Sequence, residues 1–142
     1  MIAFDTNILV YAHRKDSSFH ARAAACVRSW AEGTAAWAIP WPCVHEFLAI
    51  VTNPRIFKTP TPLPGAVGQV EAWRQSPTLR LLAEDDGYWS VLAGLLASSH
   101  VRGAKIHDAR IAAVALCHGV SELFSADRDF SRMAPLVVRN PL

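Results

Sequence analysis

The apolar run Ile2-Ala3-Phe4 stops at Asp5, and Thr6-Asn7 lead at once into Ile8-Leu9-Val10. A strand that passes into a helix within a residue or two opens a βα unit, and a series of such units forces parallel strands joined by right-handed crossovers. In an open sheet of that kind the carboxyl ends of the strands face the ligand crevice. Asp5 therefore stands where ligands collect, and a carboxylate there gains nothing from burial unless something cationic meets it.

The same alternation runs down the chain. Ser17 to Glu32 carries Phe19, Ala23, Cys26, Val27 and Trp30 at helical spacing, and Gly33 stops it. Ala36 to Ile39 is a short apolar run ahead of Pro40, and Pro42 sits in the first turn of a helix through Val44, Phe47, Leu48 and Val51 that Asn53-Pro54 ends. Lys58 to Gly65 reads as an extended, exposed loop. A helix from Pro64 to Arg74, a strand from Thr78 to Ala83, and helices from Tyr88 to Val101 and Ile106 to Cys117, separated by Gly103, follow. Val120 to Ser125 and Leu136 to Val138 read as the last strands, with a turn and a short helical piece over Asp127 to Arg132 between them. This pattern predicts an α/β fold on a mostly parallel sheet.

With 51% apolar and 18% charged residues, the 142-residue chain has material for a packed core in one compact domain. Its net charge of +2 is too small for binding by a general polybasic surface, so any polyanion must be met locally. Cys26, Cys43 and Cys117 are widely spaced and form no C-x-x-C, and the chain begins on a strand, so reduced thiols and a cytoplasmic location are expected. No apolar stretch approaches the roughly 20 residues that a membrane span needs.

Four acids occupy comparable places: Asp5 at the end of the first strand, Glu46 in the helix after the second, Asp108 in the first turn of the Ile106 helix, and Asp127 just past Ser125. Each has a purely structural role open to it, as a helix cap, a dipole partner, a turn residue or a solvated helix position. Taken together they fit one sheet edge. Two carboxylates about 4 Å apart repel by roughly 4 kcal/mol at an effective dielectric near 20, so several gathered there need a cation. Oxygen-only donors suit Mg²⁺ or Mn²⁺. Zinc fits worse: His45-Glu46 begins an H-E-x-x-H motif, but Ala49 holds the second histidine's place.

The D-T-N opening at Asp5-Thr6-Asn7, V-H-E-F around Glu46, H-D-A-R-I-A-A around Asp108 and S-A-D-R-D-F from Ser125 to Phe130 resemble the PIN-domain ribonucleases, specifically the VapC-type toxins of toxin–antitoxin modules. The resemblance covers essentially the whole chain in order and length. It implies a single PIN-like domain over residues 1–142, a three-layer sandwich with four or five mostly parallel strands flanked by helices. It also implies Mg²⁺ or Mn²⁺, hydrolysis of RNA phosphodiesters, a homodimer and a neutralising antitoxin. Asp5, Glu46, Asp108 and Asp127 carry over as the acidic, metal-binding site. Asn7 and Ser125 are their polar companions, and Asp129 is an additional acid.

Arg14, Lys105, Arg110 and Arg128 lie near these acids in sequence and are candidate contacts to RNA phosphates, with surface ion pairing as the alternative. A single-stranded region is the expected substrate, since its bases are open to stacking and reading. Trp30, Trp37, Trp41, Trp73 and Trp89 are divided between core filling and interface anchoring. Two other functions stay open: a metal-independent ribonuclease using histidines such as His13, His20 and His107, and a non-catalytic module that binds a metal or a peptide.

Overall fold

A computed structural model describes residues 1–142. In chain order it contains β1 (Ile2–Phe4), α1 (Thr6–His13), α2 (His20–Ala31), β2 (Trp37–Pro40), α3 (Trp41–Val51), α4 (Leu63–Arg74), β3 (Leu79–Leu82), α5 (Tyr88–Ser99), α6 (Ile106–Cys117), β4 (Glu122–Phe124) and β5 (Val138–Arg139). Short 3-10 turns at Gly103–Lys105 and Arg128–Arg132 precede α6 and follow β4. The strands form one five-stranded sheet in the order β3-β2-β1-β4-β5, with every neighbouring pair parallel.

Of the three inner strands, β1 and β2 are buried throughout and β4 all but Glu122, as expected for a parallel sheet covered by helices on its two faces. Ala3 pairs with Ala38 on one side and Leu123 on the other, and Phe4 lies opposite Phe124. Phe4 meets Trp37 and Phe124 edge to face, with ring centroids at 5.7 and 5.4 Å. Ala109, Ala112, Ala113 and Ala115 make the inner face of α6 small, so this helix seats closely in the core. Trp37 and Trp73 are buried, Trp30 is half-buried against Phe124, and Trp41 and Trp89 remain exposed.

Most strand limits and the end of α5 differ from the sequence pattern by a residue or two, and three other boundaries depart from it for identifiable reasons. Helix α2 begins at His20, three residues after Ser17, because the Ser17 carbonyl and hydroxyl accept from His20 and Phe19 in a separate turn. The extended segment from Lys58 ends at Pro62, since Pro64 lacks only an N–H that the first turn of α4 leaves unused. That segment is also tied down: Thr61 N–H donates to the Val51 carbonyl, and Arg14 donates to the Thr59 carbonyl. The last strand is Val138–Arg139, displaced from Leu136, whose side chain turns into the core. No helix is long and apolar enough to cross a membrane.

Candidate active site

The chain builds from β1 out to β2 and β3, then returns to the other side of β1 for β4 and β5. The order therefore reverses between β1 and β4, the place where open parallel sheets leave a crevice beyond their carboxyl ends. Asp5 follows β1 there, fixed by its N–H donating to the Phe124 carbonyl at 2.9 Å. Ser125 and Asp127 follow β4, Glu46 arrives on the second turn of α3, and Asp108 lies in the first turn of α6. Asp5, Glu46, Asp108 and Asp127 line one cavity of about 290 Å³, with Thr6 and Asn7 in its wall.

Asp5 is buried and fully engaged. Its Oδ1 accepts from Thr6 N–H at 2.8 Å, with the Cys43 thiol at 3.8 Å, and its Oδ2 accepts from Ser125 Oγ at 2.7 Å and Asn7 Nδ2 at 2.9 Å. The cap role open to Asp5 is real, since the first of these bonds caps α1. Burial nevertheless pushes its carboxyl up to about 6; the Ser125 and Thr6 donors oppose the rise, and the charges of Glu46 and Asp108 add to it. Burial followed by the charge of Asp127 also raises Asp108. Both carboxyls are thus held above their ordinary range by burial first, with neighbouring negative charge adding to it.

Ser125 is the hub of this arrangement. Its hydroxyl donates to Asp5 and accepts from Asn7 Nδ2 at 3.1 Å and Asp127 N–H at 3.0 Å, while Asn7 Oδ1 accepts from Ala126 N–H. One hydroxyl thus joins the ends of β1 and β4. Asp127 caps the following 3-10 turn by accepting from Asp129 N–H at 2.8 Å. That turn brings Asp129 to the site: oxygens of Asp108, Asp127 and Asp129 lie within 4.8 Å of one another, a hard-donor trio suited to a small dication. Asp129 also forms an ion pair with Lys105.

The pattern of acids gave no sign of Thr6 or Cys43. Thr6 Oγ1 donates to Glu46 Oε2 at 2.6 Å, and its only sequence signal was its place beside Asp5. Cys43 is completely buried, and burial holds its thiol neutral, well above its ordinary range. Thr6→Val is expected to lower the affinity of the site for added Mg²⁺ or Mn²⁺ by roughly 10-fold or more, as loss of a group orienting a site carboxylate does. Thr6→Ser should restore most of it; equal affinity in the valine variant would remove Thr6 from the site.

The cations divide differently from the sequence expectation. Arg14 stands at the far end of α1 from Asp5, where it pairs with Asp16 at 2.6 Å and covers the Phe57 ring. Helix direction thus carries it away from the acids. Arg110 pairs with Glu84, and Arg128 is exposed beside a separate cavity that Asp127 also lines. The three histidines do not assemble into an acid–base pair: His13 bonds Gln69 and Thr61, His20 bonds the Tyr11 carbonyl, and His107 lines a groove with His45.

The sequence profile of the PIN domain family matches residues 2–136. Ribonuclease VapC43 of Mycobacterium tuberculosis is 34% identical over 142 residues, covering 100% of this chain and 96% of that protein. Ribonuclease VapC48 of the same organism is 30% identical over 138 residues, covering 97% and 95%. Among solved structures, the VapBC2 complex of Rickettsia felis bound to a promoter DNA fragment superposes with a TM-score of 0.71 at 19% identity, covering 99% of this chain and 98% of that one. VapC20 of Mycobacterium tuberculosis, described as a toxin that cleaves the sarcin-ricin loop, gives 0.70 at 21% identity, covering 99% and 100%. With the profile spanning nearly its whole length and relatives aligned end to end, this chain belongs to the PIN domain family.

Proposed function

We propose that the chain is a Mg²⁺- or Mn²⁺-dependent endoribonuclease, the toxin of a toxin–antitoxin pair. The observation that carries this reading is the meeting of Asp5, Glu46, Asp108 and Asp127, from four separated segments, in one cavity at the switch point of the sheet. The ribonuclease names of the relatives and the toxin–antitoxin complexes among the structural neighbours support it.

Asp108, Asp127 and Asp129 offer the oxygens that would hold the ion, with Asp5 behind them. A bound dication there supplies Lewis-acid polarisation of a phosphate oxygen and makes water acidic enough to attack at neutral pH. Thr6 donates to Glu46 Oε2, which leaves Oε1 to accept the proton of the attacking water and to orient it for in-line displacement. Ser125 and Asn7 keep Asp5 fixed while charge develops. Water as nucleophile leaves a 5′-phosphate and a 3′-hydroxyl.

Incubating the purified chain with a mixed single-stranded RNA pool in Mg²⁺, Mn²⁺ or excess EDTA tests this directly. Cleavage in either metal, a fall of at least about 100-fold in EDTA and 5′-phosphate ends are expected. Cleavage that persists in EDTA, or 2′,3′-cyclic phosphate ends, would contradict it. The reading also places the chain in the cytoplasm as a homodimer, to which the exposed Trp89 on α5 offers an apolar anchor. Light scattering at micromolar concentration checks the dimer.

A further inference from the structure

Beside the acidic cavity, across Glu46, lies a second groove of different chemistry. It has a volume of about 330 Å³ and is lined by Pro42, His45, Glu46, Ala49, His107 and Arg110. One wall is a face of α3 that carries His45 and Ala49, with Trp41 one turn earlier, outside the lining and against His45; the other is the first turns of α6. Trp41 is 37% exposed, and its ring lies 6.1 Å from that of His45 at an interplanar angle of 31°. Two flat faces are thus offered at the rim of a groove within the size range of ligand pockets, roughly 300–1,000 Å³.

Across Glu46 the lining acquires basic groups, Arg110 and two histidines. A phosphate drawn to the carboxylate trio is held only through a cation, and that ion cannot also compensate the next phosphate along the strand. A neighbouring phosphate must find positive or donating protein groups. Arg110 is half-exposed, and Glu84 Oε1 accepts from its Nε and pairs with its Nη2, both at 3.0 Å. Nη1 takes no part in that pairing. His107 stands one residue before Asp108, so its imidazole marks the border between the two cavities.

We propose that this groove is the subsite for the nucleotide adjoining the scissile phosphate of single-stranded RNA, its base stacked on the Trp41–His45 pair and its phosphate held by Arg110 and His107. The assignment rests on the ribonuclease reading. Stacking on an aromatic side chain is tolerant of base identity because every base has a π-face. The groove therefore sets where the strand lies and contributes little to which base is chosen.

Steady-state cleavage of a labelled single-stranded RNA oligonucleotide in Mg²⁺ provides the test. Trp41→Ala should raise KM about tenfold, within the range for loss of one stacked base, and leave kcat within about twofold. Trp41→Phe should restore most of the loss. The alanine variant should have no effect on a strand made abasic at the nucleotide next to the cut. Arg110→Gln should raise KM, whereas Glu84→Gln, which frees the guanidinium, should leave KM unchanged or lower it. A merely structural Arg110–Glu84 pair requires both variants to fail alike. Wild-type cleavage with KM unchanged by Trp41→Ala and Arg110→Gln would overturn the groove assignment and leave the nuclease reading standing. The same result with a loss of antitoxin affinity would give the groove to the protein partner. A wild-type chain that cuts no RNA in either metal would overturn both readings.

Discussion

Asp5→Asn is expected to reduce RNA cleavage by at least about 10³-fold and yet to make the metal-free protein more stable near neutral pH. The buried carboxyl of Asp5 holds its proton up to about 6, against an ordinary value of 3.8. Below the lower value both folded and unfolded chains carry the proton. As pH rises through the window, the unfolded chain releases it and the folded chain does not, so the native state loses stability. The loss levels off once pH exceeds about 6 and amounts to about 3 kcal/mol.

Asparagine removes that cost but sets an amide N–H₂ where Oδ2 now accepts from Asn7 Nδ2. A donor facing a donor costs about 1–2 kcal/mol, leaving a net gain of roughly 1–2 kcal/mol, or several degrees in Tm. Thermal melts in EDTA from about pH 4 to 8 read this out. Wild type should soften between about pH 4 and 6 and the variant distinctly less, since the raised Asp108 carboxyl still contributes there. Added Mg²⁺ should raise the wild-type Tm by mass action and the variant's far less. A variant that melts below wild type at every pH, or cleaves RNA as well, would remove Asp5 from the site.

Which parts of this site were legible in the sequence follows from what local patterns encode. Asp5 directly follows an apolar strand and Asp127 comes three residues after the end of another, and the strand–helix alternation fixes which sheet edge such residues occupy. Glu46 and Asp108 sit on helices whose neighbours, Val44 and Phe47 or Ala109 and Ile111, are buried, so partial burial was readable as well. The Thr6–Glu46 bond was not, because 40 residues separate the partners and only the crossing of α1 and α3 brings them together. Asp129 depended on the 3-10 turn after β4, a short element whose direction the sequence does not state. Arg14 lies away from Asp5 for a reason the sequence did contain: the eight residues of α1 rise about 12 Å. Sequence proximity to an acid is therefore a weaker guide than position relative to the carboxyl ends of the strands.

Ser125→Ala provides the sharper test of how the site is assembled, because one buried hydroxyl serves three partners. Its loss withdraws a donor from Asp5 Oδ2 and an acceptor from Asp127 N–H, and leaves Asn7 Nδ2 bonded to Asp5 alone. Unmet buried groups cost about 1–3 kcal/mol, so the variant should melt several degrees below wild type. The Ser125 bond holds the Asp5 carboxyl down against its desolvation; without it the carboxyl rises further, and the acidic limb of the rate profile should move to higher pH. Metal affinity should fall by about 10–100-fold, as when a partner orienting a ligand is removed. Saturating Mg²⁺ should then recover much of kcat, because the carboxylates remain and only their alignment is lost. A filler role for Ser125 predicts the lower Tm alone, with the metal requirement and the pH profile unmoved; that outcome would mean that Asp5 and Asp127 are held by the strands themselves, with the hydroxyl incidental to their chemistry.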